Sequence, residues 1–437
     1  MLVSAACSVL LKATESKSAV LAPVLWAVRR TAFPHFAAGV HIEECAATAT
    51  RMSEKAHARS IIDWSSEEAE SPEELERNLL SKLELLESVQ GTMPSTASFV
   101  AVKLTALVEP WLLETVTAEM HAVAEAAPTT AAASPADAAP PVVSLEQLDS
   151  LSAADRAAVS AAIARLQTLA DAARAANLRL LLDAEQTHRQ PAINLMAREL
   201  QKRTNPRTEQ PLAEAGLPPV VYNTFQMYLD DAPLYGGTSL AAELAYAKAN
   251  GFTLAAKVVR GAYIHGETQD GFRDRIRPSK ADTDAAYDSA VRSLLESIAA
   301  DAGSAAVVIA THNEASVVSA VEAMEALSLE PDHPNVHFAQ ILGMADHLTY
   351  ALGLGTTPAA AAAVGATTEV ASSSAAAASG TATHNATKLL VYGDFDQVLP
   401  WMLRRLQENQ DVLGAAARER SLLWRELWRR LRSPVAA

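Results

Sequence analysis

The stretch Thr253-Leu254-Ala255-Ala256-Lys257-Val258-Val259-Arg260-Gly261-Ala262-Tyr263 reads as an apolar strand interrupted by two cations, and its neighbours decide the fold. A helical pattern, Ala281 to Ala299, follows it, and then a second apolar run, Ala306 to His312. Strand, helix and strand in that order make a parallel βαβ unit. Working outward in both directions, the same rhythm recurs. The other runs are Ser60 to Trp64, Phe99 to Leu107, Leu178 to Asp183, Val220 to Tyr228, Val336 to Leu342 and Lys388 to Tyr392. Amphipathic stretches such as Pro72 to Val89 and Ala154 to Ala175 lie between them, the latter opened by a Ser152–Asp155 capping pair. Eight such strands close naturally as an α/β protein of the (β/α)₈ type. An open doubly wound sheet would want a glycine-rich phosphate loop after an early strand; Gly236-Gly237 has the wrong spacing.

The chain has 437 residues, long for one domain but within reach of a barrel with insertions. Residues 1–58 are expected to form an N-terminal helical arm and residues 59–437 the barrel. Two low-complexity segments, Ala126 to Val143 and Thr356 to Thr383, lack packing periodicity and read as loop insertions; a helix is the alternative for the second. A hydrophobic fraction of 49% supplies a large core, and a net charge of −15 argues against nucleic acid as a partner. Cys7 and Cys45 have no metal spacing, and the histidines are scattered, so no metal site is expected. No apolar run reaches the length of a membrane span. The first eleven residues are apolar but carry no basic flank, so a targeting segment is expected to be atypical or missing.

In a barrel the reactive groups gather at the C-terminal ends of the strands. Those ends carry Lys103, Asp183-Ala184-Glu185, Gln226, Lys257 with Arg260 and Tyr263, Thr311-His312-Asn313, Gln340 to Met344, and Tyr392. Polar groups in apolar strands cost free energy unless paired, so their convergence on one rim points to a site. Singly, each has an ordinary structural reading: Lys103 in an ion pair with Asp183, His312 as a loop cap, the tyrosines as packing. Shortly after the last strand, Trp401-Met402-Leu403-Arg404-Arg405-Leu406-Gln407-Glu408-Asn409 sets two arginines side by side. Adjacent guanidiniums suit an anion between them, a carboxylate or a phosphate. A rim rich in Lys, Arg, Gln and Tyr, with no nucleophile elbow, suggests an anionic organic cofactor and a carboxylate substrate.

At these residues the chain resembles the proline dehydrogenase (proline oxidase) family, in its eukaryotic branch. The resemblance runs from about Thr31 to Leu431. It is carried by Phe36 with Gly39, Ile61-Ile62-Asp63, Val102 to Leu107, Leu182 to Glu185, Lys257 to Tyr263, Ala310 to Asn313, Gly343-Met344 and the paired arginines with Glu408-Asn409. It implies a distorted barrel binding FAD and oxidising L-proline to Δ1-pyrroline-5-carboxylate, with hydride passing from C5 to the flavin N5 and electrons on to a quinone. It also implies a mitochondrial location, on the matrix side of the inner membrane. By the same resemblance, Arg404, Arg405 and Lys103 clamp the substrate carboxylate, and Asp183 pairs with Lys103. Val258, Tyr263, Ile341 and Tyr392 wall the ring, with Trp401 packing over it. Gln226, Lys257, Thr311, His312, Asn313 and Glu408 hold the cofactor, and Glu67 closes the pocket against an arginine.

Trp401 stands where the family commonly has an aromatic hydroxyl, and Gly393-Asp394-Phe395 replaces a more usual Gly-Pro turn. The nearest rival activity is hydroxyproline dehydrogenase, which tends to carry a smaller residue in place of Tyr392. More distant rivals are a non-catalytic flavin- or carboxylate-binding barrel and an aldolase using Lys103 or Lys257 as a Schiff base. Leu422 to Leu431, with Trp424 and Trp428 among arginines, either packs over the barrel mouth or meets a membrane surface.

Overall fold

The computed structural model describes residues 22–64, 68–69, 71–126, 142–207, 218–230, 239–264, 267, 273–355 and 383–408. The side chains of Arg404, Leu406, Gln407 and Glu408 lie outside that description, as do Glu67, most of both insertions and Leu422 to Leu431. Eight parallel strands close a barrel in sequence order. They are β1 (Arg59–Trp64), β2 (Ala97–Val102), β3 (Arg179–Leu182), β4 (Val221–Gln226), β5 (Leu254–Val259), β6 (Ala305–Ala310), β7 (Val336–Ile341) and β8 (Ala386–Tyr392). Each overlaps an expected run. The second is shorter than expected: after Val102 the chain turns through a 3₁₀ segment, Leu104–Ala106. Closure comes from β1 against β8, with Ile62 opposite Leu390 and Trp64 opposite Tyr392.

Helices fill the crossovers: α4 (Pro72–Thr92), α5 (Pro110–Ala126), α6 (Ala153–Ala175), α7 (Gln190–Thr204), α8 (Leu240–Ala249), α9 (Lys280–Ala300), α10 (Glu314–Ala326) and α11 (Asp346–Gly353). The Ser152 hydroxyl accepts from the Asp155 N–H at 3.1 Å, satisfying one orphan donor at the start of α6. Alternation along the strands splits the core in two. Ile61, Phe99, Ala101, Leu181, Tyr222, Ala255, Ala306, Val308 and Ala339 fill the barrel interior. The opposite faces pack Ile62, Val100, Leu182, Val258 and Ile309 outward, in one core with the helices.

Among the described residues, three helices precede the barrel: α1 (Ala22–Thr31), α2 (Phe33–Phe36) and α3 (Ile42–Ala56). The α3 residues Cys45, Ala49, Met52 and Ala56 join the outer core. Phe33 packs edge-on against Phe395 at 5.4 Å, in a small cluster with Val398, Leu399, Met402 and Leu403 of α12 (Phe395–Glu408). Phe395 therefore ties the arm to the helix that carries the paired arginines.

Candidate active site

The C-terminal rim gathers charge. Asp183, just past β3, accepts from Lys257 of β5 across the barrel, Nζ to Oδ1 2.5 Å. The expected partner, Lys103, is thus displaced by Lys257. Lys103 instead acts electrostatically on Asp63 and on Glu185. Glu185 is buried and accepts from the backbone and hydroxyl of Thr105 at 3.3 and 3.0 Å, and burial raises its pKa against the pull of Lys103.

Two rim residues stand outside the set expected from the sequence. Asp63 lies at the end of β1, and burial, then the Asp183 charge, push its carboxyl up to about 6, against Lys82, Lys257 and Lys103. Lys82 reaches in from α4. It is 2% exposed, donates to the Trp64 carbonyl at 2.9 Å and lies 5.4 Å from the Trp64 ring centroid. Burial brings its ammonium down to about 8, with Asp63 and Asp183 opposing. The signal was available: Lys82 sits on the stripe Leu75, Leu79, Lys82, Leu86 and Val89, where spacing demands an apolar residue. A lysine there must direct its amine toward something polar.

The sixth and seventh strands supply a second group. The backbone N–H of Ile341 donates to His312 Nε2 at 3.0 Å. That bond requires an unprotonated Nε2, so neutral His312 carries its proton on Nδ1 as a donor. Burial, then Lys388 and Arg405, hold its pKa down at about 4. Arg405 therefore faces the same corner from α12. Tyr392 is buried opposite Trp64, its phenol pKa raised by burial and by the charges of Cys45, Asp63 and Glu43.

Other expected site residues are engaged within the fold. Thr311 accepts from Arg260 at 2.8 Å and from the Asn313 N–H at 3.0 Å. Arg260 also reaches Asp284 and Ser316, and its guanidinium lies 4.3 Å from the Tyr287 ring centroid, so it fastens β5 to α9 and α10. Asn313 caps α10, accepting from Ala315 and Ser316. Gln226 donates to the Glu185 carbonyl at 2.8 Å and accepts from Ala262 at 3.4 Å. Val258 does not wall the mouth: it is fully buried in the outer core, and the partly exposed neighbour is Val259. The reason is parity, since Lys257 turns inward and the next residue must turn out. Trp401 packs against the Phe33–Phe395 cluster.

Two glycines shape the rim. Gly261 has φ +129°, and a Cβ there would fall inside the Tyr228 ring. Gly343 has φ +74° and lies against the His35 carbonyl of the arm. Neither backbone conformation suits a larger side chain.

A sequence profile of the proline dehydrogenase family matches residues 45–418. The bovine (Bos taurus) protein named proline dehydrogenase 1, mitochondrial, is 38% identical over 267 residues, 61% of this chain and 37% of that protein. The human (Homo sapiens) protein of the same name is 36% identical over 273 residues, 62% of this chain and 38% of that one. A Xenopus laevis hydroxyproline dehydrogenase is 33% identical over 273 residues, 62% of this chain and 50% of that protein. The chain thus spans half or less of the length of these relatives. Among solved structures, proline utilization A from Bdellovibrio bacteriovorus superposes with TM-score 0.58 at 16% identity, covering 86% of this chain and 32% of that one. That likeness establishes the barrel, and the profile spans all eight strands: the chain belongs to the proline dehydrogenase family.

Proposed function

We propose that this chain is a flavin-dependent proline dehydrogenase, binding FAD at the C-terminal mouth of the barrel and oxidising L-proline to Δ1-pyrroline-5-carboxylate. One observation carries the reading most directly. Lys82, Lys103, Lys257, Lys388 and Arg405 converge on a rim whose nearby carboxyls include Asp63, Asp183, Glu185, Glu68 and Asp346. The cations among them, Arg405 and Lys103 above all, offer charge-assisted contacts to a substrate carboxylate.

The donor set fits a flavin. Lys257 gives one N–H to Asp183 and retains others, and His312 presents Nδ1–H. Cationic and N–H donors suit the carbonyl- and nitrogen-rich edge of an isoalloxazine. When bound, the flavin supplies the two-electron acceptor. The residues do the rest: Arg405, with Arg404 and Lys103, would fix the substrate carboxylate, while Tyr263, Ile341 and Tyr392 orient the ring. Gln226, Thr311 and Asn313, which hold the rim through internal bonds, are proposed to meet the cofactor together with Glu408, and Glu67 to close the pocket. A quinone acceptor, peripheral contact with a membrane and a mitochondrial location follow from the same reading. Among the described residues, no helix is long and apolar enough to cross a membrane.

The second reading, hydroxyproline as substrate, draws on the relatives that carry that name. Tyr392 favours proline, because its bulk fills the wall a 4-hydroxyl would approach. Anaerobic titration of the FAD-loaded protein separates the two. L-Proline should bleach the flavin absorbance more readily than trans-4-hydroxy-L-proline. Arg405→Met should weaken the response more than about a hundredfold, the size of a lost buried charge contact of about 3–5 kcal/mol. Bleaching by hydroxyproline alone would move the chain to the second reading, and no flavin binding would overturn both.

A further inference from the structure

The opposite end of the barrel holds a second basic group that the proposed reaction does not use. Arg59 opens β1 and Arg179 opens β3. Ile61 and Leu181, two residues on, belong to the interior cluster, so alternation turns both arginines into the barrel floor. Phe99, Tyr222 and His337 share that floor. The Arg179 guanidinium lies 5.2 Å from the Phe99 ring centroid, and its Nη1 is 3.3 Å from His337 Nε2. The rings of Tyr222 and His337 stand edge-on to Phe99 at 5.5 and 5.1 Å.

This cluster is charged and uncompensated. Arg59 donates to the Ala97 carbonyl at 2.8 Å, but among the described residues no carboxylate forms an ion pair with either guanidinium. Burial and then the Arg179 charge lower the Arg59 pKa. Burial and both arginines keep His337 neutral. The hydroxyl of fully buried Tyr222 has no hydrogen-bond partner. Two like charges thus stand together with no counter-charge among the described residues, beside a buried donor that is costly unless something accepts from it.

We propose that the floor of the barrel is an anion site, in which Arg59 and Arg179, with the Tyr222 hydroxyl beside them, take up a small oxyanion from solvent. Guanidinium forks pair bidentately with phosphate and carboxylate alike, and Arg59 is exposed enough to admit either. The site is independent of the reaction at the mouth and stands whether or not that reading holds.

Thermal unfolding of the full chain, titrated with inorganic phosphate or acetate through the low millimolar range against sodium chloride of equal ionic strength, tests it. The expected result is a saturable rise of roughly 1–2 °C at about ten times the dissociation constant. Arg179→Gln should abolish the rise and Arg59→Gln should weaken it. Arg405→Met, which removes a cation at the mouth, should leave it intact. If Arg179→Gln does not fold, Arg59→Gln decides alone. Response to phosphate only assigns a tetrahedral ligand, to acetate only a carboxylate, and to both a general oxyanion site. A response that never saturates, is the same in every variant, or disappears only in Arg405→Met overturns the proposal.

Discussion

Lys257 and Asp183 show how one contact can redistribute a charged rim. With Lys257 taking Asp183, Lys103 is left to face Asp63 and Glu185, whose carboxyls burial pushes up against its pull. The Asp63 pKa of about 6 exceeds its unfolded value, so its contribution to stability is present below about pH 4 and lost as pH rises through 6. His312 has the opposite sign: held at about 4, its contribution is present above about pH 6.5 and lost as pH falls through 4. Between those limits the two oppose each other. In flavin-free protein, unfolding midpoints measured against pH should fall more steeply on acidification in Asp63→Asn and less steeply in His312→Gln. Profiles indistinguishable from the parent would show that neither group is shifted. At Gly261, a backbone conformation hostile to a Cβ meets the Tyr228 ring. Gly261→Ala should therefore cost at least about 1–3 kcal/mol, read from chemical denaturation, and should lower the fraction of protein purified with flavin.

Among the elements, α7 and α8 are joined by an ion pair whose two side chains are both almost inaccessible. Arg198 donates to both Glu243 oxygens at 2.9 and 2.7 Å and to the Val143 carbonyl at 2.8 Å, with both side chains nearly inaccessible. Removing one partner leaves the other charge buried, so Glu243→Ala or Arg198→Ala should destabilise by about 3–5 kcal/mol. Replacing both together with apolar residues of similar volume should recover most of that loss; a double variant as weak as the sum of the singles would contradict the buried-charge account. The arm and α12 are coupled differently, through Phe33 and Phe395. That contact sets where the paired arginines begin, although arm and helix are more than three hundred and fifty residues apart in the chain.

For the molecule as a whole, the proposed cofactor and the fold are linked by mass action. FAD at a hundredfold excess over its dissociation constant should add about 2.7 kcal/mol and raise the unfolding midpoint by roughly 3–5 °C, measured by calorimetry. A midpoint unmoved by FAD would remove the flavin from the reading. The sequence alone determined the barrel, because eight apolar runs separated by helical patterns leave few other ways to bury both faces of a parallel sheet. It also located the charged residues of the mouth, since strand ends are local features, but not the arginines Arg59 and Arg179 at the opposite end. It did not determine who pairs with whom: Asp183 and Lys257 are 74 residues apart and meet only because β3 and β5 flank β4 in a closed sheet. Nor did it assign Val258 its outward face, which depends on the inward turn of Lys257. Lys82 was legible as an interruption of an apolar stripe, but its destination was not. Periodicity records which face of an element is buried; only the tertiary structure decides what that face is buried against.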